Sequence, residues 1–109
     1  MRHTMNLMRI PFEMIKSGEK TIELRLNDEK RQIICIDDEI EFINVNDISQ
    51  RILVEVINIF KFESFNILYN TLPLIKCGYT QADIDRAKAS DMDIYYTKEK
   101  QTKYGVLGI

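Results

Sequence analysis

The segment Arg51 to Phe62 carries apolar side chains at both parities of an extended chain. Ile52, Val54 and Val56 fall on one parity, and Leu53, Ile57 and Ile59 on the other. A strand written this way is covered on both faces, so it belongs in the middle of a sheet with a helix packed outside. The segment Thr21 to Leu26 alternates instead. Ile22, Leu24 and Leu26 point one way and Thr21, Glu23 and Arg25 the other, the pattern of a half-buried strand. The 109 residues fit one domain, 1–109, and are enough to bury a core without staples.

Punctuation along the chain divides it into short elements. Met5 to Met8 reads as a first strand. Pro11 suits the first position of a helix, Phe12 and Ile15 share one of its faces, and Gly18 ends it in a left-handed conformation. Asn27-Asp28-Glu29 reads as a turn, and Ile33 to Ile36 as a short apolar run. Asp37-Asp38 leads into a strand from Glu39 to Asn44, and Asn46-Asp47 turns the chain again. Ser64 caps a helix that presents Phe65, Leu68 and Leu72, and Pro73 ends it. Thr80 to Asp83 has the form of a capping box opening a polar helix to about Ser90. Thr97 caps a last helix closed by Gly105, and Val106 to Ile109 is a final strand. Strands interrupted by short helices predict an α+β fold around a small, partly closed mixed barrel. Its expected core contains Ile22, Leu24, Ile40, Phe42, Val54 and Val56.

Composition narrows the partners. A net charge of −2 argues against a broadly basic nucleic-acid coat, although a local basic groove responds to its own field rather than the total. Cys35 and Cys77 have no Cys or His neighbour at metal spacing. They read as reduced, mostly buried thiols. No apolar run approaches the ~18 residues of a membrane span, and Met1 to Met5 lacks the apolar core of a signal peptide. The expected location is therefore the cytoplasm. No cofactor fingerprint, phosphate loop or Ser-His-Asp set is present. Asp83, Asp85, Asp91 and Asp93 lack the glycine and bidentate glutamate of a calcium loop, so they read as a solvated helix face rather than a metal site. His3 reads as solvated or disordered and receives no role.

Two clusters carry candidate binding chemistry. Lys20 follows a chain reversal and opens a strand, with Glu23 and Arg25 further along. Arg offers a rigid fork for phosphate or carboxylate and Lys a mobile point charge; Glu23 orients either one. Strict alternation places Lys20 on the wrong parity to meet the other two. They converge only if Lys20 belongs to the turn after Gly18, or if a bulge intervenes. On the residues alone, a surface strand with screened pairs worth ~0–1 kcal/mol each is the simpler account. The second cluster is Tyr95, Tyr96, Lys98, Lys100, Lys103 and Tyr104, where aromatics beside lysines suit stacked bases and a phosphate backbone. A solvated helix with its rings packed inward is the competing account.

The run Gly18-Glu-Lys-Thr-Ile-Glu-Leu-Arg25 resembles the G-x-K-x-x-x-x-R signature of the ASCH domain family. Pro11 to Gly18 resembles the helix before that motif, and Glu23 to Arg31 the strand and turn after it. Asp37 to Phe42 resembles the family's Gly-Asp-x-Ile-x-Phe strand entry, and Tyr95 to Val106 its closing segment. The resemblance implies a PUA-like β-barrel with short helices around its rim. It also reverses the preference at the first cluster, because PUA domains bind RNA on the analogous surface. The implied function is binding of RNA or a nucleotide-like ligand, with Lys20 and Arg25 on phosphate, Glu23 as orienter, and Tyr96 and Lys103 on the facing wall. The alternative is an amidohydrolase or related enzyme on a modified nucleoside. Similar bacterial proteins act on acetylated cytidine with the motif lysine, a threonine three residues later and a downstream glutamate. Here the threonine position is Glu23, and Asn70 to Tyr79 holds no acid. No catalytic residue is therefore assigned. The oligomeric state is left open.

Overall fold

The computed structural model describes residues 1–109. The elements run β1 (Arg2–Leu7), α1 (Arg9–Ser17), β2 (Leu24–Leu26), α2 (Glu29–Gln32), β3 (Glu39–Asn44), β4 (Arg51–Glu55) and β5 (Phe60–Phe62). They continue with α3 (Phe65–Tyr69), three 3₁₀ segments (Leu74–Cys77, Ile84–Arg86 and Ala89–Ile94), α4 (Lys98–Tyr104) and β6 (Val106–Gly108). This is an α+β fold, but the strands do not close into a barrel. They form two three-stranded sheets, β1-β3-β4 and β2-β6-β5. In the first, β1 runs parallel to β3 and β4 antiparallel to it; the second is antiparallel throughout.

The segment expected as one long central strand is two strands, one in each sheet. β4 ends at Glu55 and β5 begins at Phe60 in the other sheet. β4 is an edge strand whose Leu53 is 47% exposed; beyond its end Ile57 is 74% exposed, while Ile59 leans half-buried against the first core. The doubled apolar pattern thus marks a strand that changes sheets, not one covered on both faces. The centre of the second sheet is β6 instead, where Val106 and Leu107 are wholly buried.

Each sheet builds its own core. Met5, Leu7, Ile40, Phe42 and Val56 pack with Phe12 of α1 and with Ile34. Leu24, Leu26 and Val106 pack with Phe65 and Leu68 of α3, and with Leu72, Cys77 and Met92. Of the expected core, Leu24, Ile40, Phe42 and Val56 are buried, while Ile22 and Val54 lean against the two clusters half-buried.

The helix ends follow their capping chemistry. Gly18, at φ 87°, closes α1 by donating to Ile15 O at 3.1 Å. The hydroxyls of Ser64 and Thr97 accept from Ile67 N and Lys100 N, each at 3.2 Å. Asn27 to Glu29 goes further than a turn, because Asp28 accepts from Arg31 N and nucleates α2. The polar helix expected after Thr80 is not regular. Ala87 and Lys88 are extended and split it into two 3₁₀ segments. His3 is ordered in β1, and its Nε2 lies 2.8 Å from Asp38 Oδ2. Cys35 is exposed, contrary to expectation, and Cys77 buried. Gly105 is required by close approach and conformation, since its φ is 71° and a Cβ there would meet the backbone oxygen of Phe62 at 2.9 Å.

Removing two methyl groups at Val56 should lower the free energy of unfolding by ~1–3 kcal/mol, through lost burial plus a cavity. Val54→Ala, on the half-buried edge, should cost less. Urea denaturation of both variants measures this, and equal losses would place Val54 deeper than it sits here.

Candidate functional site

Lys20, Glu23 and Arg25 converge, and the reason lies in the backbone. The strand begins only at Leu24, so Lys20 belongs to the connection after Gly18 and escapes strict alternation. Three sets of hydrogen bonds fix that connection. Lys20 N donates to Met14 O at 3.0 Å, and Thr21 N and Ile22 N donate to Lys76 O at 2.9 and 3.0 Å. Glu23 and Ile109 exchange backbone bonds of 2.8 and 2.9 Å, extending the β2–β6 ladder by one pair.

The three side chains make one buried ion cluster. Lys20 Nζ lies 2.7 Å from Glu23 Oε1, and Arg25 Nη2 lies 2.7 Å from Glu23 Oε2. Arg25 Nε donates to Oε2 at 2.8 Å. The side chains of Lys20 and Glu23 are only 9% and 7% exposed, so this is no screened surface pair. Burial pushes the Glu23 carboxyl up, but the Lys20 and Arg25 charges and hydrogen bonds outweigh it and hold it below its ordinary value. Arg25 Nη2 also donates to Asn6 O at 2.8 Å, joining β2 to the end of β1 in the other sheet.

This cluster lies in the wall of a cavity of about 1130 Å³ between the two sheets' ends. Met8, Arg9 and Ile10 border it on one side; Tyr69, Tyr79, Asp91 and Tyr96 line it elsewhere. Tyr69 and Tyr79 hydroxyls are 2.7 Å apart, and Tyr79 donates to Asp91 Oδ2 at 2.8 Å. Burial raises both phenols, and for Tyr79 the bonds to Tyr69 and Asp91 raise it further. The Cys77 thiol, also in the wall, is pushed up to about 11 by burial, against the opposing charge of Lys20. Such a shift favours the thiol over the thiolate near neutral pH.

A family model for the ASCH domain matches residues 5–109. The chain belongs to the ASCH domain family. The crystal structure of hypothetical protein PH0355 superposes with a TM-score of 0.82 at 31% identity, covering all of this chain and 95% of that one. The solution structure of protein PF0455 from Pyrococcus furiosus does so with a TM-score of 0.75 at 31% identity, covering all of this chain and 94% of that one. No curated protein matches.

Within this ASCH domain, the expected site residues divide. Lys20, Glu23, Arg25 and Tyr96 all line the cavity. Lys103 does not; it is exposed on α4, with its ammonium 5.1 Å above the Tyr104 ring. Tyr96 stacks on Phe65 at 6.2 Å, so one face of its ring is already used. The exposed ring at the cavity mouth is Tyr95. Sequence reasoning missed Tyr69, Tyr79 and Asp91. Asp91 was expected on a solvated helix face, but the 3₁₀ turn beginning at Ala89 directs it to Tyr79. The spacing of the two tyrosines gave no signal. No group of three or more His, Cys, Asp or Glu side chains is arranged to hold a metal.

Glu23→Gln would leave Lys20 and Arg25 facing each other unneutralised, and should destabilise the fold by ~3–5 kcal/mol. The pH dependence has a definite sign. The folded state holds the Glu23 carboxyl below its unfolded value of about 4.3, so its contribution is complete above that pH. It is lost as pH falls toward the folded value. Denaturation at pH 7 and at stepwise lower pH should show a smaller acid loss in Glu23→Gln than in the unaltered chain.

Proposed function

We propose that this ASCH domain binds RNA or a nucleotide-like ligand, with a base in the cavity beside Lys20, Glu23 and Arg25. The observation that carries the reading is the combination of one large cavity, aromatic rings at its wall and mouth, and fixed charges within it. Planar bases stack on such rings, and their edges hydrogen-bond to such groups. Three cations, Arg9, Lys20 and Arg25, are matched by three carboxylates, Glu23, Asp83 and Asp91. A balanced cavity does not concentrate bare anions. The base therefore contributes more than the phosphates, and the exposed Arg9 is the cation best placed to meet a backbone phosphate.

The hydrolase alternative draws no support from this arrangement. Lys20 Nζ is engaged by Glu23 at 2.7 Å, so the position that would hold a nucleophilic threonine instead carries a carboxylate that occupies the lysine. Purified protein should therefore release no acetate from acetylated cytidine. Turnover of about 1 per second or more that disappears in Lys20→Ala would overturn this expectation.

Titration with a short single-stranded RNA at two salt concentrations tests the binding reading. The salt dependence should be shallow, because few phosphates are neutralised. Tyr95→Ala should weaken binding by ~1–3 kcal/mol through lost stacking. Arg25→Ala should weaken it by a similar ~1–3 kcal/mol, and Lys103→Ala should leave it unchanged. No binding at low salt would remove nucleic acid as the ligand. Equal losses from Arg25→Ala and Lys103→Ala would mean diffuse attraction rather than a site.

A further inference from the structure

The hydrogen bonds around Asp91 have a fixed direction. A carboxylate only accepts, so the Tyr79 proton goes to Asp91 Oδ2. Tyr79 oxygen must then accept from Tyr69, whose hydroxyl lies 2.7 Å away. The same Oδ2 also accepts Lys88 N at 3.2 Å. Both phenols are held above their ordinary values, so the chain stays protonated and its polarity does not reverse near neutral pH.

This leaves Asp91 Oδ1 without a partner in the protein. It is not among the buried atoms lacking a bond, of which Asn27 Oδ1 is the one case, so it keeps access to solvent, and Asp91 lines the cavity. The wall from Tyr69 to Asp91 therefore presents acceptors: Oδ1 of Asp91 and the oxygen of Tyr69. The wall from Lys20 to Arg25 presents donors. Lys20 Nζ has protons beyond the one given to Glu23, and Arg25 Nη1 makes no bond within the protein. A ligand filling the cavity meets a donor wall and an acceptor wall together.

We infer that Asp91 is a specificity-determining residue: the cavity takes a nucleobase bearing an exocyclic amine in preference to one bearing a carbonyl at that position. The inference rests on the nucleotide-binding reading and goes beyond it by stating which bases are chosen. An amine donates to Asp91 Oδ1, while the base's acceptor atoms meet Arg25 and Lys20. A base with a carbonyl there brings two acceptors together in the same pose, and its neighbouring ring N–H can serve the carboxylate only if the base shifts and gives up its contacts to Arg25 and Lys20.

Calorimetric titration of the purified chain with adenosine, inosine, cytidine and uridine tests this. Adenosine and inosine differ in the exocyclic group and in the proton on the adjacent ring nitrogen, as do cytidine and uridine; purine riboside, which lacks the amine and gains no ring proton, isolates the amine and should bind more weakly than adenosine. Adenosine should bind at least about tenfold more tightly than inosine, and cytidine than uridine, the scale of a lost base-edge contact. Asp91→Asn supplies the second arm. Its carbonyl oxygen must stay toward the two donors, Tyr79 and Lys88, so its amide nitrogen replaces Oδ1 and presents a donor. The preference should then invert within each pair. Equal affinities within the pairs for the unaltered chain would overturn the inference, as would an Asp91→Asn protein that keeps the original order. If Asp91→Asn does not fold, the comparison on the unaltered chain decides alone. Binding of single-stranded RNA with no preference among nucleosides, or with no nucleoside bound, would overturn the inference and leave the general reading standing. Failure of both RNA and nucleosides would overturn both.

Discussion

A carboxylate removed from water must find positive partners or lose its charge, and Glu23 is the point at which this chain meets that demand. Its two oxygens take one cation each, Lys20 from the connection after α1 and Arg25 from β2. Meeting the demand fixes more than a local contact. The Lys20 partner requires the connection from Gly18 to Glu23 to lie against α1 and the Leu74–Cys77 segment. The Arg25 partner spends its remaining Nη2 capacity on Asn6, at the end of the other sheet. The net stability from such a cluster is small beside the penalty for breaking it. Its larger effect is geometric: it sets where the two sheets stand and leaves the cavity between their ends.

Much of this organisation could be read from residue order, and the reasons are local. Gly18, Ser64 and Thr97 end or start helices because their conformational and hydrogen-bonding preferences act within one turn. The α+β class followed from short alternating and capped segments. The convergence of Lys20 with Glu23 and Arg25 was legible only as a condition, that Lys20 sit in the turn; the late start of β2 satisfies it.

What escaped was set by long-range pairing. Apolar residues on both parities of Arg51 to Phe62 describe a covered strand and a strand that changes sheets equally well; only the partners distinguish them. Asp91 and Asp93 differ in nothing local, yet one meets Tyr79 and the other Gln101 and Lys98. His3 found Asp38 thirty-five positions away, by the parallel register of β1 on β3. Lys103 was attractive because lysines and tyrosines cluster around it, but the turn of α4 carries it outward. Sequence proximity gathers residue types; it does not choose which side of a helix they occupy.

The place of β6 bears on how the molecule comes together in time. It follows every other element in the chain, yet it is the middle strand of its sheet, with β2 and β5 on either side. The first sheet pairs β1, β3 and β4, all drawn from the first half of the chain. During vectorial synthesis that half can organise while β2 and β5 still lack the strand that joins them. Until β6 arrives, two short edges and the apolar faces of Leu24, Leu26 and Phe62 stay unpaired. Such edges are templates for wrong pairing between chains. The β2–β6 ladder spans about eighty positions, a loop whose closure is slow compared with a hairpin's. The completion of the second sheet thus waits on a strand of three residues.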